Sequence, residues 1–246
     1  MTKSEYWNFV DQILDMAEQM GLYIGLLPAW GSLVKANILN METMRIYANF
    51  LGKRYQNRKN LIWILGGDVR GDVGYDVFCL EGEILKSYNP ERIVAYHPFG
   101  RTSSSLWFHN EPWLDMNLFQ SGHRRYDQAS LGEWDDNAER ETFFGEDNWK
   151  YVDRDLSYDI VKPTLDAEPS YEAFHRDSTI REIHTGRSGM FAAMRIGLCL
   201  PERQVIPMEA TQLCSFTMIS MSGALMVCVS FGKMQCTIQA VHSLNI

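Results

Sequence analysis

The sequence predicts an α/β fold, and more closely a (β/α)₈ TIM barrel. Along residues 6–172, short apolar runs alternate with segments of helical periodicity, and this order repeats five times. Buried strands that are joined by helix-length connections pair in parallel. Each apolar run also ends in a polar or aromatic cluster, which is typical of the catalytic face of a (β/α)₈ barrel. The 246 residues suffice for one large domain of this kind.

The order of the elements follows from local patterns. Apolar side chains recur at helical spacing in residues 6–20, 42–55 and 77–88, and a helix end is predicted over 153–161. Gly21 and the Asn89-Pro90 pair end the first and third of these helices. The polar segment 103–107 is predicted to be a loop. The predicted strands are the short apolar runs at residues 22–27, 61–65, 93–96, 114–119 and 163–167.

The stretch LIWILGGD at residues 61–68 is central to the prediction. Its five consecutive apolar residues are too few for a free helix and too continuous for a strand with one wet face. They therefore predict a parallel strand that is buried on both sides. Gly66 and Gly67 allow a sharp turn, and Asp68 then lies at the C-terminal end of the strand. The alternative is that this triplet is only a turn with a helix N-cap.

Polar side chains at the strand ends indicate chemistry on sugars. Asp68 and Glu168 follow non-adjacent strands, and two carboxylates that flank a bond are what glycoside hydrolysis requires. Trp30 is interpreted as a sugar-stacking platform or as a cap on the core. Substrate hydroxyl groups would be bound by side chains at the other strand ends, namely His97, Gln120 and His123.

A metal-dependent hydrolase is an alternative to this interpretation. Asp68, His97, His123 and Glu168 could converge on one ion. The sequence has neither HxH nor HExxH spacing, so no metal site is predicted. It has no Gly-rich phosphate loop and no GxSxG motif either, and we predict no cofactor.

Composition argues against several classes of partner. The net charge of −8 and the isoelectric point near 5.3 disfavour nucleic acid and anionic membranes. No apolar run is long enough to span a bilayer, and the first residues do not resemble a signal peptide. The 5 cysteines show no metal-site spacing. An aromatic content of 12% favours a carbohydrate as the partner.

Five motifs resemble those of the apiosidase-like glycoside hydrolases, a family with a (β/α)₈ catalytic barrel, and they occur in the order found in that family. They are spread along residues 6–172, from Gly21 to Glu172. They are GLYIGLLPAWG at residues 21–31, KRYQNRKNLIWILGGD at 53–68, AYHPFGRTSSSLWFH at 95–109, LDMNLFQSGH at 114–123 and PTLDAEPSYE at 163–172.

The resemblance implies hydrolysis of a terminal glycosidic bond in plant-type polysaccharide. Asp68, the Asp of the GGD motif, would be the general acid/base, and Glu168, the Glu of the EPxYE motif, would be the nucleophile. A retaining mechanism would place their carboxyl groups about 5–5.5 Å apart. Trp107 and Tyr171 lie within the matching motifs and complete the predicted substrate-binding set with Trp30, His97, Gln120 and His123.

The chain departs from the family at its start. The family barrel begins with two strands before the first helix found here, and one of them ends in an Asp-Thr-Ala-Trp-like motif. We therefore expect an incomplete barrel with about strands 3 to 7, and we expect Met1 to be an internal start. Localisation stays open, because a signal peptide would lie upstream.

The chain also changes its residue composition near Glu172. All 7 Trp and all 11 Tyr lie at or before Tyr171, whereas 4 of the 5 Cys and 7 of the 13 Met lie after it. The Gly-Ile-Pro-Gln-like continuation of the family is absent, yet residues 173–218 can encode it when read one base out of register. We expect a partial catalytic domain at residues 1–172 and an out-of-frame tail at 173–246. A genuine, divergent C-terminal subdomain is the alternative.

The sequence thus predicts a glycosidase for the parent protein and leaves the activity of this chain open. The second hypothesis is a non-catalytic carbohydrate-binding remnant that keeps Trp30, Trp107 and His97. The metal-dependent hydrolase is the third.

Overall fold

Five parallel strands form the centre of the molecule. The computed structural model describes residues 3–121 and 149–168, together with the strands at 216–221 and 224–229. The parallel strands lie side by side in chain order and curl into half of a barrel, which confirms the predicted α/β fold. They are β1 (Tyr23–Leu27), β2 (Leu61–Gly66), β3 (Val94–His97), β4 (Met116–Phe119) and β5 (Thr164–Asp166).

An antiparallel pair of strands extends the sheet beyond β1. The pair consists of β6 (Phe216–Met221) and β7 (Ala224–Val229), and β7 runs antiparallel to β1. The full order of strands is therefore β5-β4-β3-β2-β1-β7-β6.

Helices fill the connections between the parallel strands. Asn40 caps the helix at Met41–Tyr55 with a capping box, because its Oδ1 accepts the Thr43 N–H at 3.1 Å while the Thr43 hydroxyl accepts the Asn40 N–H. Among the described helices, none combines the length and apolar character of a membrane span. The helices are α1 (Lys3–Gln19), α2 (Ser32–Lys35), α3 (Met41–Tyr55), α4 (Tyr75–Tyr88), α5 (Ser105–Phe108) and α6 (Trp149–Leu156), with a 3-10 turn at Gly71–Val73.

The central strand β2 is buried on both faces, as its sequence predicts. Trp63 and Leu65 pack in the apolar layer that the sheet shares with the helices, while Ile62 and Ile64 pack in the layer inside the curled sheet. Alternate side chains of a strand point to opposite faces, so the continuous apolar run serves two cores. The strand β2 ends at the mouth of the half-barrel, and Asp68 follows two residues later.

The segment 103–107, predicted to be a loop, contains the short helix α5. Its serines carry no apolar periodicity, but they are buried and their hydroxyl groups are satisfied internally. Asp155 on α6 accepts hydrogen bonds from the hydroxyl groups of Ser103 at 2.8 Å and Ser105 at 2.6 Å. The connection from β3 to β4 is thus shorter than a full crossover helix. The helix end predicted over 153–161 is α6, which ends at Leu156.

Candidate active site

The turn after β2 has an unusual backbone. Gly66, Gly67 and Asp68 have φ angles of 84°, 105° and 51°, so three consecutive residues lie in the left-handed region. Glycine adopts such angles freely, whereas Asp is one of the few other residues that tolerate them. Backbone of this kind persists where the surrounding structure holds it, and it is common at functional sites. Asp68 is exposed at the end of an otherwise buried strand.

Close neighbours also require the two glycines. A Cβ atom on Gly66 would lie 2.5 Å from the His97 carbonyl oxygen, and one on Gly67 would lie 2.9 Å from the Trp30 ring. The Gly67 N–H donates to the His97 carbonyl at 2.9 Å. The turn is therefore fastened to the end of β3, which holds Asp68 near His97.

Trp30 covers the other side of the turn. Its ring touches Gly67, and its centroid lies 6.2 Å from that of the His97 ring. The Gly31 N–H donates to the Gly67 carbonyl at 3.2 Å, which joins the loop after β1 to the turn after β2. Trp30 is only partly buried, so it presents an aromatic surface beside the carboxylates.

Glu168 follows β5 and is held by side chains from two other strands. Gln120, directly after β4, donates from Nε2 to Glu168 Oε2 at 2.7 Å. His97 Nε2 lies 3.3 Å from the same oxygen, without the geometry of a hydrogen bond. Glu168 is 6% exposed and His97 is fully buried, so these contacts act in a medium of low dielectric constant.

Asp68, His97 and Glu168 converge at the mouth of the half-barrel. One polar side-chain atom from each lies within 4.8 Å of the other two. One oxygen atom of each carboxylate thus lies within 4.8 Å of the other, which fits the spacing of about 5–5.5 Å between the carboxyl groups of retaining glycosidases better than the roughly 6.5–9.5 Å of inverting ones. The arrangement can therefore place one carboxyl group beside a leaving oxygen and the other beside an anomeric carbon.

Comparison with known proteins identifies the family of the chain. A family model described as the apiosidase-like catalytic domain matches residues 2–196. The chain belongs to the apiosidase-like family. The matched region reaches beyond Glu172, the predicted end of the catalytic domain.

Two solved structures are similar to the apiosidase-like chain. The first is described as a glycoside hydrolase; it has a TM-score of 0.70 and 37% identity over 78% of this chain and 44% of its own length. The second is a glycoside hydrolase family 5 protein from Bacteroides vulgatus, with a TM-score of 0.69 and 35% identity over 78% of this chain and 41% of its own. The chain thus spans less than half the length of these structures. No match was found among curated proteins.

The converging side chains of the apiosidase-like fold could also hold a cation. His97 is fully buried, yet neither ring nitrogen has a hydrogen-bond partner among the described residues. Its distance of 3.3 Å from Glu168 Oε2 is near that expected for two ligands bound about 2.0–2.1 Å from one tetrahedral Zn²⁺. Carboxylate and imidazole ligands suit such an ion. His123, the fourth residue of this alternative, lies outside the described residues.

Two residues beside Glu168 were not predicted from the sequence. Asp166 accepts a hydrogen bond from the Ser121 hydroxyl at 2.6 Å and another from the Glu168 N–H at 3.3 Å. Burial raises the pKa of Asp166 to about 6, and the hydrogen bonds from Ser121 and Glu168 oppose this increase. The sequence offered one indication, a third carboxylate two residues before the predicted nucleophile.

The predicted substrate-binding residues do not all lie at the two carboxylates. Trp30, His97 and Gln120 lie around the two carboxylates. Trp107 is partly buried and packs against the helix-side core beside Gly71. Two further residues, His123 and Tyr171, lie outside the part of the chain that the structure describes.

Proposed function

We propose that the protein is a retaining glycosidase that cleaves terminal glycosidic bonds of plant-type polysaccharide. Asp68 is the general acid/base in this proposal, and Glu168 is the nucleophile. The observation that carries it is the separation of the two carboxylates, because one oxygen atom of Asp68 and one of Glu168 lie within 4.8 Å of each other. Membership of the apiosidase-like family supports the reaction class.

The reaction proceeds through two displacements. Asp68 gives its proton to the glycosidic oxygen as the bond from carbon to oxygen breaks, and Glu168 attacks the anomeric carbon to form a glycosyl ester. The leaving group departs as a neutral alcohol. Asp68, now ionised, takes a proton from a water molecule, which attacks the anomeric carbon and releases Glu168.

The surroundings of the two carboxylates support this division of roles. Asp68 is exposed, so it can exchange protons with solvent between the two displacements. Glu168 is buried and oriented by the amide of Gln120, which suits a group that must attack one carbon atom along a fixed direction.

Sugar contacts are proposed for the residues around the pair. Gln120 Oε1 is buried and accepts no hydrogen bond within the described ranges, so it is available to a sugar hydroxyl. His97 offers its ring nitrogens in the same way, and Trp30 offers a stacking surface. Three further substrate contacts are proposed from the motifs alone, namely Trp107, His123 and Tyr171.

The stereochemistry of the product tests this proposal. The protein is incubated with a panel of 4-nitrophenyl glycosides and plant polysaccharides, and the anomer released first is identified by proton NMR. We expect net retention. With a glycoside that is cleaved, a Glu168→Ala variant should be inactive, and sodium azide should restore turnover by giving a glycosyl azide of inverted configuration. Net inversion, or full activity of Glu168→Ala, would refute the proposal.

Matched variants control for unspecific effects of charge. Asp76 and Glu91 are exposed carboxylates away from the strand ends. Asp76→Asn and Glu91→Gln remove the same charges as Asp68→Asn and Glu168→Gln. We expect the first pair to keep the parent activity and the second pair to lose it.

A metal-dependent hydrolase is the second candidate, and the buried ring nitrogens of His97 favour it. In that case Asp68, His97 and Glu168 would bind the ion, and a water molecule on it would be the nucleophile. Dialysis against a chelator separates the two candidates. The glycosidase proposal expects an unchanged rate, whereas a rate that falls and returns with added Zn²⁺ would favour the metal.

We also propose that residues 173–246 are translated out of frame behind a partial catalytic domain at residues 1–172. The loss of Trp and Tyr after Tyr171 supports this division. Resequencing the gene across the codons for Glu172 and Ala173 tests it. We expect a single-base insertion or deletion there, and an intact reading frame would refute the proposal.

A further inference from the structure

Asp166 is a buried carboxylate that the proposed mechanism does not use. It is the last residue of β5 and is 4% exposed. Its Oδ2 accepts the Ser121 hydroxyl at 2.6 Å, and its Oδ1 accepts the N–H groups of Ser121 and Glu168, each at 3.3 Å. The Asp166 side chain therefore joins the segment that follows β4 to the segment that follows β5.

These bonds continue the pairing of β4 and β5 beyond the ends of both strands. The Ala167 N–H donates to the Phe119 carbonyl at 2.9 Å, and the Gln120 amide donates to the Glu168 carboxylate. The hydrogen bond from the Ser121 hydroxyl to Asp166 is a third bond between the segments that follow the two strands. The backbone of Glu168 is thus fixed by Asp166, while its carboxylate is fixed by Gln120.

We propose that Asp166 is a positioning residue, which holds the backbone of Glu168 so that the carboxylate of Glu168 faces Asp68. The inference rests on the proposed function, because it gives Glu168 the role of nucleophile. A buried carboxylate costs desolvation energy that an apolar side chain would avoid. Here that cost is associated with a bond to the residue that must be held within a fraction of an ångström.

A second buried carboxylate provides a matched control. Asp155 is fully buried and also accepts two serine hydroxyl groups, those of Ser103 and Ser105. It accepts no hydrogen bond from Glu168 among the described residues. It also accepts from the Thr164 hydroxyl and from Arg154 Nε, each at 3.4 Å. Asp155→Ala therefore removes a buried, hydrogen-bonded carboxylate whose donors do not include the backbone of the proposed nucleophile.

Amide hydrogen exchange tests the positioning without any need for a substrate. The full chain and its Asp166→Ala, Asp166→Asn and Asp155→Ala variants are compared by mass spectrometry under native conditions. We expect Asp166→Ala to speed exchange at the Ser121 and Glu168 amides by about tenfold, the effect of losing one hydrogen bond. Asp166→Asn, which keeps one acceptor oxygen, should restore most of the protection. Unchanged exchange at Glu168 in Asp166→Ala would overturn the inference.

Kinetics with any glycoside that the parent cleaves test the consequence for catalysis. We expect Asp166→Ala to lower kcat by about a hundredfold with little change in KM, as misplacement of a reacting group does. Asp155→Ala should keep the parent kcat even where it lowers stability. A parent kcat in Asp166→Ala would overturn the inference. If Glu168→Gln keeps the parent activity, the proposed function fails, and the exchange data still decide whether Asp166 holds Glu168.

Discussion

Gln120 and Glu168 are joined by a hydrogen bond of 2.7 Å, in which Nε2 of the amide donates to Oε2 of the carboxylate. The two residues follow neighbouring parallel strands, and both side chains are less than a tenth exposed. A hydrogen bond to a buried charged group contributes about 1.5–3 kcal/mol. The orientation of Glu168 therefore depends on a residue that takes no proton and forms no bond to substrate carbon.

The variant Gln120→Glu tests this dependence. It keeps the shape of the side chain and places a second carboxyl group against Glu168, so one of the two must hold a proton. We expect kcat/KM to fall by about tenfold to a hundredfold near neutral pH, and the acidic limb of the rate profile to move to higher pH. Gln19→Glu, an exposed change of the same kind, is the control. An unchanged pH profile would contradict the prediction.

The left-handed backbone of Asp68 makes a second variant informative. Asn tolerates a φ of 51° as Asp does, so Asp68→Asn should fold with the parent melting temperature. It cannot donate the proton that the proposed mechanism assigns to Asp68, and we expect kcat to fall by about 10²–10⁴-fold. Asp68→Val, which is β-branched, should also lose stability, because such residues are rarely found at this φ. Thermal melts and initial rates distinguish the two effects.

The contact between Gly67 and Trp30 predicts a loss of stability on substitution. Gly67→Ala would add a Cβ atom 2.9 Å from the Trp30 ring at a φ of 105°. Gly21→Ala measures the cost of a left-handed backbone alone, because nothing lies within 4 Å of that position. We expect Gly67→Ala to cost about 1–3 kcal/mol more than Gly21→Ala in urea unfolding, as overpacking does. Equal losses would show that the ring moves aside freely.

The site could be predicted from the sequence because it follows one rule of parallel sheets. Side chains at the C-terminal ends of neighbouring strands lie at the same edge, so the residues after the predicted strands were expected to meet. Asp68, His97, Gln120 and Glu168 do so. The burial of β2 on both faces could also be predicted from its sequence. A strand with one face in solvent would carry polar residues at every second position, and β2 does not.

The features that were missed depend on contacts between distant segments. The serines at the start of α5 lack apolar spacing, and Asp155, about 50 residues later, accepts the hydrogen bonds from Ser103 and Ser105 that make their burial possible. In the sequence, Asp166 cannot be distinguished from an ordinary polar residue at a strand end, because its contact with Ser121 depends on the pairing of the two strands. The pairing of β7 with β1 likewise joins segments that no local pattern connects.

Glu81 makes the stability of the fold depend on pH. It lies on α4 with 2% exposure, its Oε1 has no hydrogen-bond partner among the described residues, and burial raises its pKa from 4.5 to about 8. Between these values the folded protein holds a proton that the unfolded chain releases. The contribution of Glu81 to the free energy of unfolding is therefore fully present below pH 4.5 and falls by up to about 1.4 kcal/mol per pH unit until pH 8.

Glu81→Gln removes this titration, and we expect it to flatten the stability profile measured by urea unfolding between about pH 6 and 8, above the raised pKa of Asp166. Glu83→Gln, an exposed change on the same helix, should leave the slope as it is. A slope that persists in Glu81→Gln would assign the pH dependence to another group.

The antiparallel pair β6–β7 covers an edge of the parallel sheet. The strand β7 pairs with the whole length of β1, from Tyr23 with Val229 to Leu27 with Leu225. An exposed strand edge presents unpaired N–H and carbonyl groups that recruit other chains. We therefore expect a chain that lacks residues 216–229 to self-associate, with a larger mass by light scattering and a higher signal from an amyloid-binding dye.

A second deletion of the same length is the control. It shows whether self-association comes from uncovering the edge of β1 or from shortening the chain. Residues 233–246 comprise 14 residues, as do residues 216–229, and they contain neither strand. We expect the chain without residues 233–246 to keep the parent mass in solution. A Tyr23→Lys change adds a charge at the exposed position of β1 itself, and in the chain without residues 216–229 it should reduce association through this edge. If both deletions associate equally, or neither does, the cover over β1 does not control the solution state.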